Sequence, residues 1–315
     1  MITDLLPPEI LVQLGPRPDD PRSVLLVVAG PTAVGKTAFC VRLAQHFGTE
    51  IVSADSRQFF REMSIGTAKP TAAEMDGVPH HFVDSHSVEA EYSAGRFAAD
   101  ALATLDELSR THPVVILTGG SGLYVQAVTD GLDELPGVLP EVRAQLQAEL
   151  AAHGLGPLVA ELAATDPVAH ARIDPQNPQR VLRALEITRG TGRPFSSYHT
   201  QNTTARDAAR PFRVVKVALA RARDVLYERI NQRVENMLAE GLLAEVTGLL
   251  PQRHRPALQT VGYQEIFGFL DGEYDWAEAV RLLQRNTRRY AKRQLTWLRR
   301  DAAYQWVELE QEGEN

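Results

Sequence analysis

The chain has 315 residues, 44% of them hydrophobic, enough to bury the core of one large domain or of a core with a smaller insert. No run reaches about 18 uninterrupted apolar residues, which excludes a membrane-spanning helix, and a single cysteine, Cys40, excludes an internal disulfide and a cysteine-based zinc finger. The net charge of −7 (33 Lys+Arg against 40 Asp+Glu) argues against indiscriminate nucleic-acid binding, and an opening without a basic stretch argues against a signal peptide, so a cytoplasmic protein is expected.

Residues 1–22 are proline-rich and aperiodic, and they read as a loosely held, flexible leader. An apolar run of strand formers follows, Val24 to Val28, and leads into Gly30, four further residues, and Gly35-Lys36-Thr37, the Walker A spacing. Glycines at both ends let the loop curl so that peptide N–H groups point at phosphate oxygens, and the helix starting near Lys36 turns its N-terminus to the same anion. Gly30, Pro31, Thr32, Ala33, Val34 and Gly35, with Lys36 as a positive charge and Thr37 as a hydroxyl for Mg²⁺, form the candidate diphosphate-binding loop. Cys40 lies in the amphipathic helix that follows and is expected in the core.

Glu50 to Ser53 predicts a short strand that delivers Asp55-Ser56-Arg57-Gln58 to the ligand edge of an open parallel sheet. Position alone leaves Asp55 open between a general base, a helix cap and a Mg²⁺ ligand. A long, turn-rich connection through Ile65 to Pro70 and Gly77 to His81 has the length of a functional loop. Ser93 caps a predicted helix to about Arg110, and the buried strand Val114 to Leu117 ends in Thr118-Gly119-Gly120-Ser121-Gly122. An NTP-hydrolysing site wants an acid there to hold Mg²⁺, so its absence counts against an ordinary NTPase.

From about Pro136 the pattern changes to four short amphipathic helices, over 141–153, 157–164, 167–173 and 178–189, and Arg180 and Arg183 share one side of the last. Gln201 to Arg210 reads as a polar linker, and Phe212 to Leu219 returns as a core strand. Arg229 and Arg233, four apart on a helix over about 224–240, share a face, where two like charges repel unless an anion sits between them. Arg281 to Arg300 carries eight basic residues and no acidic one. On a helical wheel Leu283, Tyr290, Trp297 and Leu298 gather on one side, and Arg281, Arg285, Arg288, Lys292 and Arg299 fall within about 40° of one line on another, a stripe suited to a polyanion. The alternation of strands and helices predicts an α/β fold: a P-loop NTPase-like parallel sheet core flanked by helices over 23–135 and 200–310, with an all-helical insertion domain over 136–199.

Seven blocks, GPTAVGKT, DSRQFFREMSIGTAKP, GVPHHFVD, TGGSGLY, NPQRVLRALEITRGTGRP, VGYQEI and TRRYAKRQLTWLR, together resemble the bacterial tRNA dimethylallyltransferase family from about Val24 to Trp306. The resemblance implies transfer of a dimethylallyl group from dimethylallyl diphosphate, with Mg²⁺, to N6 of the adenosine immediately 3′ of the anticodon, by a monomer whose helical insertion closes over the anticodon stem-loop of the tRNA. By position it implies that Asp55 is the base, that Ser56, Arg57 and Gln58 surround the adenine, that Thr37 lies near the diphosphate and that Arg233 neutralises it as it departs. It further implies tRNA contacts from Gln179, Arg180, Val181, Leu182 and Arg183, from Gln259, Thr260, Val261, Gly262, Tyr263 and Gln264, and from Arg143. Ser121 stands where the family commonly has Thr, keeping the hydroxyl, and Asn177 where it often has Asp. The rival readings are a P-loop kinase acting on a small metabolite with a nucleotide such as ATP, an isopentenyltransferase acting on free adenine nucleotides, and a non-catalytic RNA-binding module.

Overall fold

The computed structural model describes residues 2–133, 135–198 and 210–310. Strand β1 (Ser23–Ala29) is buried along all but its first residue, which is why it reads as an unbroken apolar run rather than an alternating one. It is joined by β2 (Ile51–Ser53), β3 (His80–His81), β4 (Val114–Gly119), β5 (Phe212–Ala220) and β6 (Tyr304–Glu308) in the order β3-β2-β4-β1-β5-β6. Every pairing is parallel.

Register decides where the strands deliver their loops. Ala29 pairs with Gly119 on one side and Ala218 on the other, and Ser53 pairs with Thr118. The Walker A loop, the segment after β2 that opens on Asp55, and Gly120-Ser121 therefore leave the sheet at one rim, the C-terminal edge where open α/β sheets bind ligands. Helices Lys36–Phe47 and Arg223–Ala239 pack their apolar side chains into one core with β1, β4 and β5. The helix Ala94–Ser109 begins where expected, with the Ser93 hydroxyl accepting the Arg96 N–H at 3.3 Å.

The expectation of a loosely held leader is corrected. Pro8–Leu14 is a helix, with a proline in its first turn where the missing N–H costs nothing. Leu6, Ile10 and Leu14, spaced by four, put one apolar face into the core together with Leu5. Arg213 on β5 fastens the end of this segment by donating to the carbonyl oxygens of Gln13 (3.1 Å) and Gly15 (2.8 Å).

The chain divides into two compact units, 1–131 with 207–315, and 132–206. In the second, helices Pro140–His153, Leu155–Thr165, Pro167–Arg172 and Pro178–Thr191 enclose their own core of Leu146, Leu158, Leu162, Val181 and Leu185. Arg189 ties three of these helices by donating to Glu149 (2.8 Å) and Glu161 (2.5 and 2.7 Å). Asn177 caps the last of them, its Oδ1 accepting the Arg180 N–H at 3.2 Å, a bond that an Asp would make equally. Residues 201–209 of the expected linker lie outside the described residues. Among the described residues no helix is long and apolar enough to cross a membrane.

Because Ile10 is fully buried against the sheet, Ile10→Ala should lower the stability of the chain by about 2–4 kcal/mol, the cost of an emptied aliphatic site. Urea unfolding reads this as a lower midpoint; an unchanged midpoint would restore the loosely held leader.

Candidate active site

The shared rim opens into a cleft of about 630 Å³, entirely within the first unit. β1 supplies the Walker A loop, whose backbone is sharply bent. Gly35 has φ +109°, a conformation closed to residues with a Cβ, and it caps the helix Lys36–Phe47. Ala33 has φ +65°, which costs of order 1 kcal/mol and persists only where neighbours hold it. Those neighbours are side chains from the far part of the sequence. Arg229 Nε donates to the Ala33 carbonyl at 3.0 Å and Arg221 Nε to the Val34 carbonyl at 2.9 Å. Gln294, buried on the helix Trp276–Leu298, accepts the Thr32 N–H at 2.8 Å and donates to the Gly120 carbonyl at 2.9 Å.

This narrows the set of anion donors. Pro31 has no N–H and the Thr32 N–H is engaged by Gln294. The first turn of the helix, Lys36 and Thr37 included, has no intrahelical acceptor for its N–H groups, and it carries the positive end of the helix dipole. Lys36 Nζ donates to the carbonyls of Gly30 (3.0 Å) and Pro31 (2.8 Å). Burial pulls its pKa down to about 8; Arg233 pushes the same way, and the nearby Asp55 and Cys40 oppose it. Arg233 also has a lowered pKa, through burial and the charge of Arg229, and its Nη1 lies 3.5 Å from Thr32 Oγ1. Both arginines thus face the loop, Arg229 as a strut and Arg233 at the cleft wall. Cys40 is core, its thiol pushed up to about 12 by burial.

Asp55 lines the same cleft as Lys36, Thr37 and Arg233. Its Oδ1 accepts the Arg57 N–H at 2.9 Å, closing a turn two residues on where no helix begins, so the helix-cap alternative is not what the structure shows, and no hydrogen bond among the described residues engages its Oδ2. Ser121 Oγ accepts the Ser56 N–H and donates to Ser56 Oγ, both at 2.9 Å, which ties the loop after β4 to the segment after β2. Gln58 Nε2 donates to the carbonyls of Thr67 (3.2 Å) and Ala68 (3.1 Å), and Arg57 and Gln58 both line the cleft. Tyr290, placed by the helical wheel on the apolar side, is also a cleft residue; its hydroxyl pKa is pushed up to about 12, first by burial and then by the Asp55 charge. Nothing in its spacing separates it from a core position.

Three residues expected to contact tRNA have their side chains elsewhere. Val181 and Leu182 lie in the core of the helical unit, on the inward face of their helix. Tyr263 is fully buried, with its hydroxyl donating to Glu245 at 2.6 Å. Around it, Thr260, Val261 and Gly262 line the cleft, and Gln259 and Gln264 are exposed and bonded to each other at 2.9 Å. Gln179 and Arg180 are exposed, while Arg143 and Arg183 pair with Glu186 at 3.5 and 3.2 Å. On the basic stripe Arg281 is engaged by Glu278, just before the stretch free of acids, Arg285 and Arg288 touch Asn286 (3.3 Å) and Asn231 (2.5 Å), and Lys292 is exposed.

The sequence pattern described as IPP transferase matches residues 58–301. The chain is 51% identical over 282 residues to the tRNA dimethylallyltransferase of Cytophaga hutchinsonii, covering 90% of this chain and 91% of that protein. It is 48% identical over 286 residues to tRNA dimethylallyltransferase 2 of Porphyromonas gingivalis, covering 91% and 94%. Among solved structures, the full-length tRNA isopentenylpyrophosphate transferase of Bacillus halodurans matches with a TM-score of 0.66 and 39% identity, over 91% of this chain and 90% of that one. A eukaryotic dimethylallyltransferase acting on tRNA shares the fold with a TM-score of 0.74 at 24% identity, over 91% and 74%.

The lowered pKa of Lys36 sets a sign for stability against pH. The unfolded chain, with a lysine near about 10.4, binds this proton between about pH 8 and 10.4 while the folded chain has released it, so stability rises with pH across that window. Urea midpoints at pH 7.5 and 9.5 should therefore rise more for the unmodified chain than for Lys36→Met; equal changes in the two would place the Lys36 ammonium in water.

Proposed function

Because the chain belongs to the IPP transferase family, we propose that it transfers a dimethylallyl group from dimethylallyl diphosphate to N6 of the adenosine immediately 3′ of the anticodon in tRNA, releasing diphosphate. The observation that carries this reading is the meeting of a phosphate loop and Asp55 in one cleft, while β4 ends in Thr118-Gly119 without an acid. Such a site has cations for a diphosphate leaving group and a carboxylate for a proton, and it lacks the acid that NTP hydrolysis uses.

The adenosine has to leave its stack to reach a diphosphate ester in this cleft. As its N6 attacks the prenyl carbon, the C–N bond forms, the C–O bond breaks with its electron pair going to diphosphate, and the N6 proton passes to Asp55. Lys36, Arg233 and the N–H groups at the helix start stand where the diphosphate charge grows, and preset charges act most strongly on charge that develops in the transition state. Thr37, which lines the cleft at the start of the helix beside the phosphate loop, is the residue whose hydroxyl would hold an ion such as Mg²⁺ there. When bound, Mg²⁺ supplies further positive charge to the departing diphosphate. The tRNA backbone is assigned to Arg285, Arg288 and Lys292 and to Arg143, Gln179, Arg180 and Arg183, and the protein to the cytoplasm as a monomer.

Incubation of the purified chain with dimethylallyl diphosphate and tRNA, followed by nucleoside analysis, should yield N6-dimethylallyladenosine. Asp55→Asn should bind tRNA nearly normally and turn over at least about a hundredfold more slowly, the scale of general-base assistance. Wild-type turnover with weakened tRNA binding would make Asp55 a recognition residue instead. Each of Arg285, Arg288 and Lys292 that meets a phosphate should, as Ala, flatten the slope of log K against log[salt] by up to about one unit. Slopes equal to wild type would leave the stripe in solvent.

A further inference from the structure

The connection after β2 forms one wall of the cleft, with Ser64 to Thr71 all lining it. It has little secondary structure of its own there; local bonds close its turns, Lys69 Nζ donating to the Phe60 carbonyl at 2.8 Å and Thr67 Oγ1 to the Met63 carbonyl at 2.7 Å, and a carboxylate from the other half of the chain ties it across the cleft wall. Glu245, on the helix Leu242–Gly248, accepts three consecutive backbone N–H groups, Ser64 (3.0 Å) and Ile65 (2.7 Å) on Oε2 and Gly66 (3.0 Å) on Oε1. Its Oε1 also accepts the buried Tyr263 hydroxyl at 2.6 Å. The two segments touch at the backbone: a Cβ on Gly66 would come within 2.6 Å of the Tyr263 ring, and one on Gly262 within 3.2 Å of the Gly66 carbonyl.

The next residues of this loop orient a cleft side chain. Gln58 Nε2 gives its two N–H bonds to the carbonyls of Thr67 and Ala68. Only the NH₂ end of an amide can donate to two carbonyls, so these bonds settle which end is which. The Gln58 carbonyl oxygen is left as an acceptor with no partner among the described residues, on a side chain that lines the cleft. An acceptor so held suits a substrate N–H and discriminates against a group that lacks one.

We propose that Glu245 is a positioning residue for base recognition: by holding Ser64 to Gly66 it sets the carbonyls of Thr67 and Ala68, and through them the Gln58 amide that reads an N–H of the base. The proposal rests on the tRNA-prenylating function above. A neutral amide at this position keeps one acceptor oxygen and sets its NH₂ either against the Ser64 and Ile65 N–H groups or against the Gly66 N–H and the Tyr263 hydroxyl, so the loop would lose part of its anchor while the phosphate loop, held by Gln294, Arg229 and Arg221, would keep its own.

The test is a double-mutant cycle on Glu245→Gln and Gln58→Ala, followed by kcat/KM for tRNA, with inorganic diphosphate affinity measured by calorimetry in each variant. Glu245→Gln should lower kcat/KM for tRNA by about tenfold or more with the diphosphate affinity unchanged, and in the Gln58→Ala background the same change should cost less than about twofold, because its route of action is already gone. Multiplying losses would make Glu245 merely structural, and wild-type kcat/KM in Glu245→Gln would remove it altogether; either result overturns the proposal. If Glu245→Gln does not fold, Tyr263→Phe takes its place in the cycle, keeping the ring over Gly66 and removing one bond to Glu245, with the same two readings. Absence of transfer by the unmodified chain would instead overturn the function and the proposal together.

Discussion

A loop that turns several peptide N–H groups on one anion has to hold a backbone shape that it would not keep alone. Here the strain sits at Ala33, while Gly35 takes its positive φ freely, and the restraint comes from outside the loop: Gln294 on the Thr32 N–H, Arg229 on the Ala33 carbonyl, Arg221 on the Val34 carbonyl. The same elements serve the rest of the cleft. The helix that carries Gln294 also carries Tyr290 at the cleft and the basic stripe, and the helix that carries Arg229 carries Arg233 one turn on. Two helices thus share in both holding the loop in shape and lining the site, and a change to either purpose on them reaches the other.

Much of this was legible in the sequence, for reasons that vary by residue. β1 and the Walker A loop are local: an apolar run and a glycine spacing state their own geometry, and Ser93 announces the helix it caps. Leu6, Ile10 and Leu14 were hidden because prolines on both sides masked a spacing of four. Val181, Leu182 and Tyr263 were misassigned because a motif block marks a segment and does not say which of its side chains point inward. Gln294 and Glu245 carried no signal at all, since their partners lie 262 and about 180 positions away and a polar residue inside a helix is ordinarily solvated.

The helical unit illustrates how a charged surface can be prearranged. Glu186 is buried and pairs with both Arg143 and Arg183, so two cations that would otherwise repel are held near one carboxylate. Arg189 does the converse, one cation joining Glu149 and Glu161 from two other helices. The unit's small apolar core fixes the helices, and these pairs fix which face each arginine presents.

The bond between Thr32 and Gln294 spans 262 residues, and β1 itself lies between strands contributed by residues 114–119 and 212–220. At roughly 5–20 residues per second of synthesis, the stretch that begins the phosphate loop waits many seconds for the helix that braces it. Until residues 114–119 and then 212–220 follow, β1 is an apolar strand lacking first both and then one of its neighbours, the kind of exposed edge that invites aggregation or a chaperone. The chain is therefore most vulnerable while growing, and it acquires a braced loop only when the helix bearing Gln294 docks, so that unfinished or prematurely ended chains hold no shaped cradle in which to sequester a prenyl donor.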